Sequence, residues 1–294
     1  MKYEMMSEKS TATIVNFTGG LEITDIDIKE IMTLCESSGV VLFRGFETNI
    51  DTFSAFVKKN SSRVTLDPAR NFHAENAQKV DAGVDPVGLH CENGNAPKLP
   101  HFIWFYCRKS ASAGSQTTYC DGKGVWGKLS PATKALFSEK KIKYSRTVPE
   151  NLWRNYLAYE LPDVNSPEEV NLTHLAQFSE QVPGQKLTLN DDMSVHYEFV
   201  VGAAHETVFS EELVFANSIL GPSFNYEKPQ ITLEDGSEIP EEVLAEIKDI
   251  TSQETQEIDW QDGDIVMIDN TRFMHGRRAI EDNNREIYAA LSYR

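Results

Sequence analysis

Positive charge is what this chain has least of. Lys and Arg number 28 against 45 Asp and Glu, a formal net charge of −17 with a pI near 4.8. Nucleic acid and anionic membrane surfaces need basic patches, so neither is expected as the main partner. One or two arginines inside an acidic protein can still hold a small anion. Cysteine is scarce as well. Cys35, Cys91, Cys107 and Cys120 form no CxxC pair, and four thiols in 294 residues make no disulfide framework. They read as reduced, and the opening MKYEMMSEKS has no apolar signal-peptide core, so a cytoplasmic protein is expected. No run approaches the roughly 20 apolar residues of a membrane span. No internal repeat, low-complexity tract or long linker interrupts residues 1–294, which read as a single domain of ordinary soluble composition, 40% hydrophobic and 25% charged.

What is present is a succession of short apolar runs. Thr13-Ile14-Val15, Gly39 to Phe43, His101 to Cys107, Thr117 to Cys120 and residues 141–146 have the length and β-branched or aromatic content of strands. Lys186 to Leu189, Ser194 to Val201, Thr207 to Phe209 and Leu213 to Asn217 read the same way, and Trp260 to Arg294 is expected to close the chain with two strands. Helices are expected from Asp27 to Glu36, from an Asp51 N-cap to Lys59, from Ser130 with Pro131 at the first position to Glu139, from Ser166 to Gln177, and from Pro240 to Asp249. Residues 60–88 are polar and weakly periodic and read as an active-site loop, and the Pro-punctuated residues 149–185 read as a lid insertion over one face. Many short strands with helices mainly in the first half make a mainly β fold with flanking helices, a sandwich or barrel.

The chemistry sits in a few residues. His90 and Glu92 are two apart, so on an extended segment both face one side while Cys91 faces the other. His275, at the loop edge after Asp269-Asn270, is a candidate third ligand, and Arg285 begins the next strand-like run. Two histidines and one carboxylate suit non-haem Fe(II), because three coordination positions stay open. A histidine and an arginine on adjacent antiparallel strands can face one cavity. His196-Tyr197-Glu198 repeats the HxE pattern, but its apolar neighbours Val195, Tyr197 and Phe199 mark it as the polar face of a half-buried strand. His73, His101 and His174 default to structural or surface roles.

Taken in order, Leu89-His90-Cys-Glu92-Asn, His101-Phe-Ile-Trp-Phe-Tyr-Cys107, Gly114-Ser-Gln-Thr117, Phe215-Ala-Asn217, Trp260-Gln-Asp-Gly-Asp264 and Asp269-Asn270 to His275-Gly276-Arg277 resemble the Fe(II)/2-oxoglutarate dioxygenases of the taurine dioxygenase and clavaminate synthase superfamily. The resemblance covers roughly residues 38 to 294, and the HxE variant is similar to branches of antibiotic biosynthesis. It implies a double-stranded β-helix (jelly-roll) core. It implies Fe(II) on His90, Glu92 and His275, and Thr117 and Arg285 on the far carboxylate of 2-oxoglutarate. The physical requirement agrees, since a buried dianion needs a fixed charge and hydrogen bonds. Arg277 and Arg278 compete with Arg285 for that role, and for at least one of them a surface ion pair with Glu281 or Asp282 is expected.

Two departures narrow the reaction. Taurine dioxygenase-like members carry a second arginine for a sulfonate four residues beyond the cosubstrate arginine, where this chain has Ala289. Halogenases of the superfamily replace the carboxylate ligand with a small residue, and here Glu92 fills that place. The resemblance therefore implies decarboxylation of 2-oxoglutarate to succinate and CO2 coupled to hydroxylation, desaturation or cyclisation at an unactivated C–H of an amino-acid-like or other specialised-metabolite intermediate, free or tethered to a carrier protein, with O2 as oxidant. Asn76, Asn93 and Arg154 are candidate substrate contacts by polarity and place only, and each reads first as a loop-stabilising or solvated residue. A 2-oxoglutarate-independent cupin-type oxygenase and a non-catalytic β-sandwich binding module are the alternative readings.

Overall fold

The structure, a computed structural model, describes every residue except 1, 7–11, 17–18, 20–21, 66–71, 75–76, 81–82, 162 and 223–226. Asn76 lies outside the described residues, as do the side chain of His73 and parts of the 60–88 segment.

Two sheets face each other across a jelly-roll interior. The larger, with nine strands, runs in the order Lys2–Met5, Thr13–Asn16, Val40–Arg44, Ile265–Asp269, Phe102–Lys109, Glu286–Tyr293, Ala77–Lys79 and Phe72–Ala74, with Arg63–Thr65 also paired to Glu286–Tyr293. The smaller runs Gln256–Ile258, Thr117–Asp121, Phe273–Arg277 and Val87–His90. Alternation along each strand decides what goes between them. Ile103, Phe105, Cys107, Ile287, Ala289 and Leu291 of the larger sheet meet Tyr119, Ile258 and Phe273 of the smaller in one buried cluster.

The outer faces are covered too, which is why the strands carry near-continuous apolar runs. Trp104, Tyr106, Met267 and Tyr288 pack under the helices Ile28–Ser38 and Ile50–Lys59, through Ile31, Cys35, Phe53 and Phe56. Behind the smaller sheet, Leu89, Cys91, Cys120 and Met274 meet Val125, Phe137 and Ile247 of the helices Gly122–Lys128, Pro131–Glu139 and Glu241–Glu254. Tyr144, Tyr197 and Phe199 join them from a third sheet, ordered Gln185–Leu189, Val195–Val201, Ile142–Val148 and Gln230–Leu233. The helices Glu150–Glu160 and Leu172–Gln181 form a satellite cluster through Trp153, Leu157, Leu175 and Phe178. No helix among the described residues is long and apolar enough to cross a membrane.

Several expectations change. The helix at Ile50–Lys59 is capped by Asn49, whose Oδ1 accepts from the N–H groups of Asp51 and Thr52, so Asp51 lies inside its first turn. Ser130 caps Pro131–Glu139 as expected. The seven α-helices described are spread along the chain rather than gathered in its first half. Residues 149–185 contain the helix Glu150–Glu160, a 3-10 turn Pro167–Glu169 and the helix Leu172–Gln181. Runs 207–209 and 213–217 are loops joined only by a His205–Val214 bridge; Phe215 and Ala216 are buried because the loop itself packs into the core. The chain closes with three strands, not two, because Phe273–Arg277 is a strand with every residue buried.

Candidate metal and cosubstrate site

That extra strand changes how His275 is held. The histidine is not at a loop edge but in mid-strand, paired on one side with His90 and on the other with Tyr119. Phe273, His275 and Arg277 share the inward parity, and Met274 points outward into the apolar layer. His275 and Arg285 are therefore not on adjacent strands. His275 belongs to the smaller sheet, and Arg285 immediately precedes Glu286–Tyr293 of the opposed larger sheet, two residues before the inward Ile287.

The strand Val87–His90 ends at the first histidine, and the chain turns through Glu92, Asn93 and Gly94, with Asn93 at a positive φ of 56°. The turn is anchored from two directions. Asn270 accepts the Glu92 N–H with Oδ1 at 2.8 Å and donates Nδ2 to the carbonyls of Glu92 at 3.1 Å and Pro100 at 2.9 Å. Behind it, the Cys91 N–H donates to the Asn217 carbonyl at 3.1 Å and the Ser218 hydroxyl to the Cys91 carbonyl at 3.0 Å. Cys91 itself points away into the apolar layer, as its parity predicts.

His90, Glu92 and His275 are all buried, with one ligand-type atom of each within 4.8 Å of the others. Glu92 Oε2 is 3.6 Å from His275 Nε2 and 3.9 Å from His90 Nε2. Donors bound at about 2.1 Å to one ion stand about 3 to 4 Å apart, so this donor set fits a single transition metal. His90 Nδ1 lies 2.8 Å from the Gly88 carbonyl, which fixes the proton there and leaves Nε2 bare for a metal. His275 packs edge-on against Phe105 at 5.6 Å, and its Nδ1 is buried without a protein partner. Gly276 permits the pairing, since a Cβ there would meet the Val87 carbonyl oxygen at 2.6 Å and Thr118 Oγ1 at 2.9 Å.

The second HxE stays out of this group. Glu198 faces Lys143 at 3.6 Å and Lys186 at 3.5 Å, and His90, Glu92 and His275 are the one such cluster among the described residues. His101 Nδ1 accepts the Arg294 N–H at 3.1 Å, and His174 Nδ1 accepts the Asn171 N–H at 3.3 Å in a helix cap. Both are structural. Arg154 pairs with Glu150 at 2.8 Å and lies over the Trp153 ring, which is also a structural use.

Arg277, Arg278 and Arg285 follow His275 within ten residues, and their environments differ. Arg278 is exposed and pairs with Glu257 at 2.6 Å, so the expected surface ion pair exists but not with Glu281 or Asp282. Arg277 is 6% exposed and donates Nη2 to the carbonyls of Gly83 at 2.9 Å and Asp85 at 2.7 Å. Arg285 is 8% exposed, has no ion pair among the described residues, and its Nε is buried without a partner. Burial, and then the neighbouring Arg277 charge, push its guanidinium down to about 10, with Cys107 acting the other way. Thr117 is buried opposite Arg277, and its Oγ1 accepts the Trp260 indole N–H at 3.1 Å. That leaves the hydroxyl proton of Thr117 free to donate.

Three contributors were not assigned from the sequence. Asn270 read only as turn chemistry, Trp260 only as part of a motif, and Arg277 as a competitor for another role. Only Arg277, two residues past His275, had a signal of position; Asn270 and Trp260 bond Glu92 and Thr117 across 178 and 143 residues of sequence. The Trp260-to-Asp264 motif is itself structural. Arg44 clasps the Asp264 carboxylate with Nε at 3.0 Å and Nη2 at 2.6 Å, and Asp264 Oδ2 accepts the Gln261 N–H at 2.8 Å.

Comparison with known proteins agrees with this geometry. The chain is 25% identical over 290 residues to a clavaminate synthase-like protein of Arabidopsis thaliana, covering 88% of this chain and 83% of that one. It is 25% identical over 293 residues to the dapdiamide synthesis protein DdaC of Enterobacter agglomerans, covering 90% and 84%. Its fold superposes on PvcB of Pseudomonas aeruginosa with a TM-score of 0.61 at 14% identity, over 96% of this chain and 85% of that one. Residues 6–291 match the taurine catabolism dioxygenase TauD, TfdA family. A match of that extent, on a jelly roll that gathers two histidines and a carboxylate inside, makes the chain a member of the TauD/TfdA family, a non-haem dioxygenase whose cofactors are Fe(II) and 2-oxoglutarate.

Proposed function

We propose that His90, Glu92 and His275 hold the Fe(II), that Arg285 and Thr117 hold the far carboxylate of 2-oxoglutarate, and that the substrate is an amino-acid-like or other specialised-metabolite intermediate oxidised at an unactivated C–H. The observation that carries this reading is Arg285. A buried guanidinium that feels a second arginine's charge and has no ion pair of its own among the described residues is an arrangement that an anionic ligand stabilises.

Bound together, Fe(II) and 2-oxoglutarate supply O2 activation, with succinate and CO2 as coproducts. The protein residues bind and orient. One carboxylate and two neutral imidazoles leave one net positive charge on Fe(II), which favours an anionic chelator. Arg285 offers a planar fork to the distal carboxylate, and the Thr117 hydroxyl, which accepts from Trp260, donates beside it. Phe105 and the apolar layer of Ile287 and Ala289 keep this end of the interior dry. No protein acid or base is assigned.

Ala289 is 3% exposed and points into the interior, so no second arginine is available there for a sulfonate. DdaC is a dapdiamide synthesis protein, and PvcB is described as an oxygenase of an isonitrile synthetic pathway; both names concern specialised metabolites. Within one domain, the 60–88 segment and a lid at 149–185 contact the substrate, free or carrier-tethered. Four free, buried thiols suit a reducing, cytoplasmic setting.

Anaerobic titration of the metal-free protein with Fe(II) and then 2-oxoglutarate tests the cofactor part. The visible charge-transfer band of the chelate is expected for wild type, none for Glu92→Ala, and a requirement for far more 2-oxoglutarate with Arg285→Ala. An Arg285→Ala titration that overlays wild type would remove Arg285 from the site. Succinate release on a panel of amino acids and carrier-bound aminoacyl groups then tests the substrate class.

A further inference from the structure

The carbonyl that holds His90 is itself boxed in by glycines. The Gly88 carbonyl oxygen lies 2.8 Å from His90 Nδ1. Val87–His90 is the last strand of the smaller sheet, with Phe273–Arg277 as its strand neighbour. From that neighbour, a Cβ on Gly276 would stand 3.2 Å from the Gly88 carbonyl carbon. From a loop remote in sequence, a Cβ on Gly221 would overlap the Gly88 carbonyl oxygen and stand 2.5 Å from its carbon and 2.9 Å from the Gly88 Cα. The reverse holds too, since a Cβ on Gly88 would meet the Leu220 carbonyl oxygen at 2.6 Å and the Gly221 Cα at 3.1 Å. Neither Gly88 nor Gly221 has a positive φ, so what requires glycine at both is the contact of two main chains. The same loop reaches further along the ligand segment. The Asn217 carbonyl accepts the Cys91 N–H, and Ser218 Oγ donates to the Cys91 carbonyl and would meet a Cβ on Gly94 at 2.5 Å. The loop is itself pinned: Asn217 donates Nδ2 to the Ala203 carbonyl at 2.9 Å and accepts the Ile219 N–H at 3.0 Å, and the Ser218 N–H donates to the buried Tyr144 hydroxyl at 3.1 Å.

We propose that Gly221 is a positioning residue for the metal site: packed on the Gly88 peptide, it holds in place the carbonyl that sets the orientation and tautomer of His90. The proposal rests on the reading of His90 as a metal ligand. A carbonyl only accepts, so His90 carries a proton on Nδ1 and presents Nε2 to the space shared with Glu92 and His275. When the Gly88 peptide tilts, the Nδ1–H loses this acceptor, and the ring turns or carries its proton on Nε2 instead; either takes a donor away from the metal. Loss of such an outer partner lowers metal affinity by about 10- to 100-fold. The loop at 217–221 thus does for His90 what Asn270 does for Glu92.

Co(II) is the probe. Chelator competition gives its affinity for the metal-free protein, and proton NMR of the loaded protein shows the exchangeable Nδ1–H of each coordinated imidazole, shifted by the paramagnetic ion. Wild type is expected to show two such signals and His90→Ala to lose one, which assigns it. Gly221→Ala should bind Co(II) about 10- to 100-fold more weakly and lose or shift the His90 signal while that of His275 stays. In a His90→Ala background the same substitution should change affinity by no more than about threefold, because the donor it acts through is gone. Asn217→Ala, which unpins the loop without adding atoms, goes through the same cycle, so a Gly221 variant that fails to fold leaves the test intact. A glycine needed only for packing would weaken Co(II) binding equally in both backgrounds, or would leave affinity and the His90 signal at their wild-type values. Either result overturns the proposal, while the loss in His90→Ala leaves the metal site standing. Wild-type affinity in His90→Ala overturns both.

Discussion

Asn270 grips the main chain of Glu92 from both sides, accepting its N–H at 2.8 Å and donating to its carbonyl at 3.1 Å, with every atom buried. Glu92 follows the end of its strand, so no ladder fixes its backbone; one amide side chain does. Asn270→Ala leaves the Glu92 N–H and two carbonyls unsatisfied, each at about 1–3 kcal/mol if water cannot reach them. Loss of such an outer-shell partner lowers metal affinity by about 10- to 100-fold. Competition with a chelator should show that loss at temperatures where circular dichroism still reports a folded protein. Wild-type metal affinity in the variant would mean that Glu92 is positioned by something else.

Gly276 sits in the strand of His275, between two flanking strands, without room for a methyl group. A Cβ there would approach the Val87 carbonyl oxygen at 2.6 Å and Thr118 Oγ1 at 2.9 Å, and both belong to flanking strands that have nowhere to go. Gly276→Ala is expected to destabilise the fold by about 1–3 kcal/mol, as overpacking does. It should weaken metal binding as well, because Gly276 is the neighbour of His275 at its pairing with His90. Denaturant unfolding with and without Fe(II) separates the two effects. A variant as stable as wild type and equally stabilised by Fe(II) would contradict this account of the glycine.

The sequence carried some of this and hid the rest for physical reasons. His90 and Glu92 are legible because alternation puts i and i+2 on one face, and the apolar strand after them is plain. Phe273–Arg277 is not legible as a strand: Thr-Arg-Phe-Met-His-Gly-Arg mixes polar and apolar residues at both parities, since its inward face builds the site while its outward face packs on a third layer. The helix Gly122–Lys128 is concealed by three glycines in seven residues, and Glu150–Glu160 lies in a polar stretch with no side-chain cap at its start. At 213–217 the error ran the other way, because apolar residues there fill the core from a loop. Which arginine has no ion pair among the described residues is a property of the fold alone, as Gly83, Asp85 and Glu257 are remote in sequence from the arginines they engage.

Thr117 and Trp260 make a linked prediction. The Trp260 indole N–H donates to Thr117 Oγ1 at 3.1 Å, which leaves the hydroxyl proton free to donate elsewhere. Thr117→Val keeps the shape, removes the donor to the cosubstrate and strands the indole N–H, so 2-oxoglutarate affinity should fall about tenfold, the worth of one charged hydrogen bond. Thr117→Ser retains the hydroxyl and should stay within about threefold of wild type, the loss being rotamer freedom at most. Charge-transfer titration of the two variants checks this. Equal affinities for Val and Ser would assign Thr117 to packing alone.

Asp269 gives a pH prediction with a defined sign. It is 1% exposed, and burial raises its carboxyl from an ordinary 3.8 to about 6, with the hydrogen bonds from Thr271 and the Arg272 charge opposing that shift. Between those values the unfolded chain has released the proton and the folded protein still holds it. The folded state binds more protons, so stability attributable to this group is present below pH 4, falls as pH rises through 6, and is flat above. From pH 5 to 7.5 the fall is on the order of 1 kcal/mol. Asp269→Asn removes the titration while its amide oxygen can still accept from both the Thr271 N–H and hydroxyl, which the carboxylate meets at 2.9 and 2.6 Å through one oxygen. The stability of the variant relative to wild type should therefore improve by that amount across the interval, whatever its absolute value. Urea unfolding of both metal-free proteins at several pH values measures the difference, and other titrating groups cancel in it. A difference that does not change with pH would mean that Asp269 is ionised throughout and that Arg272 and Thr271 outweigh its burial.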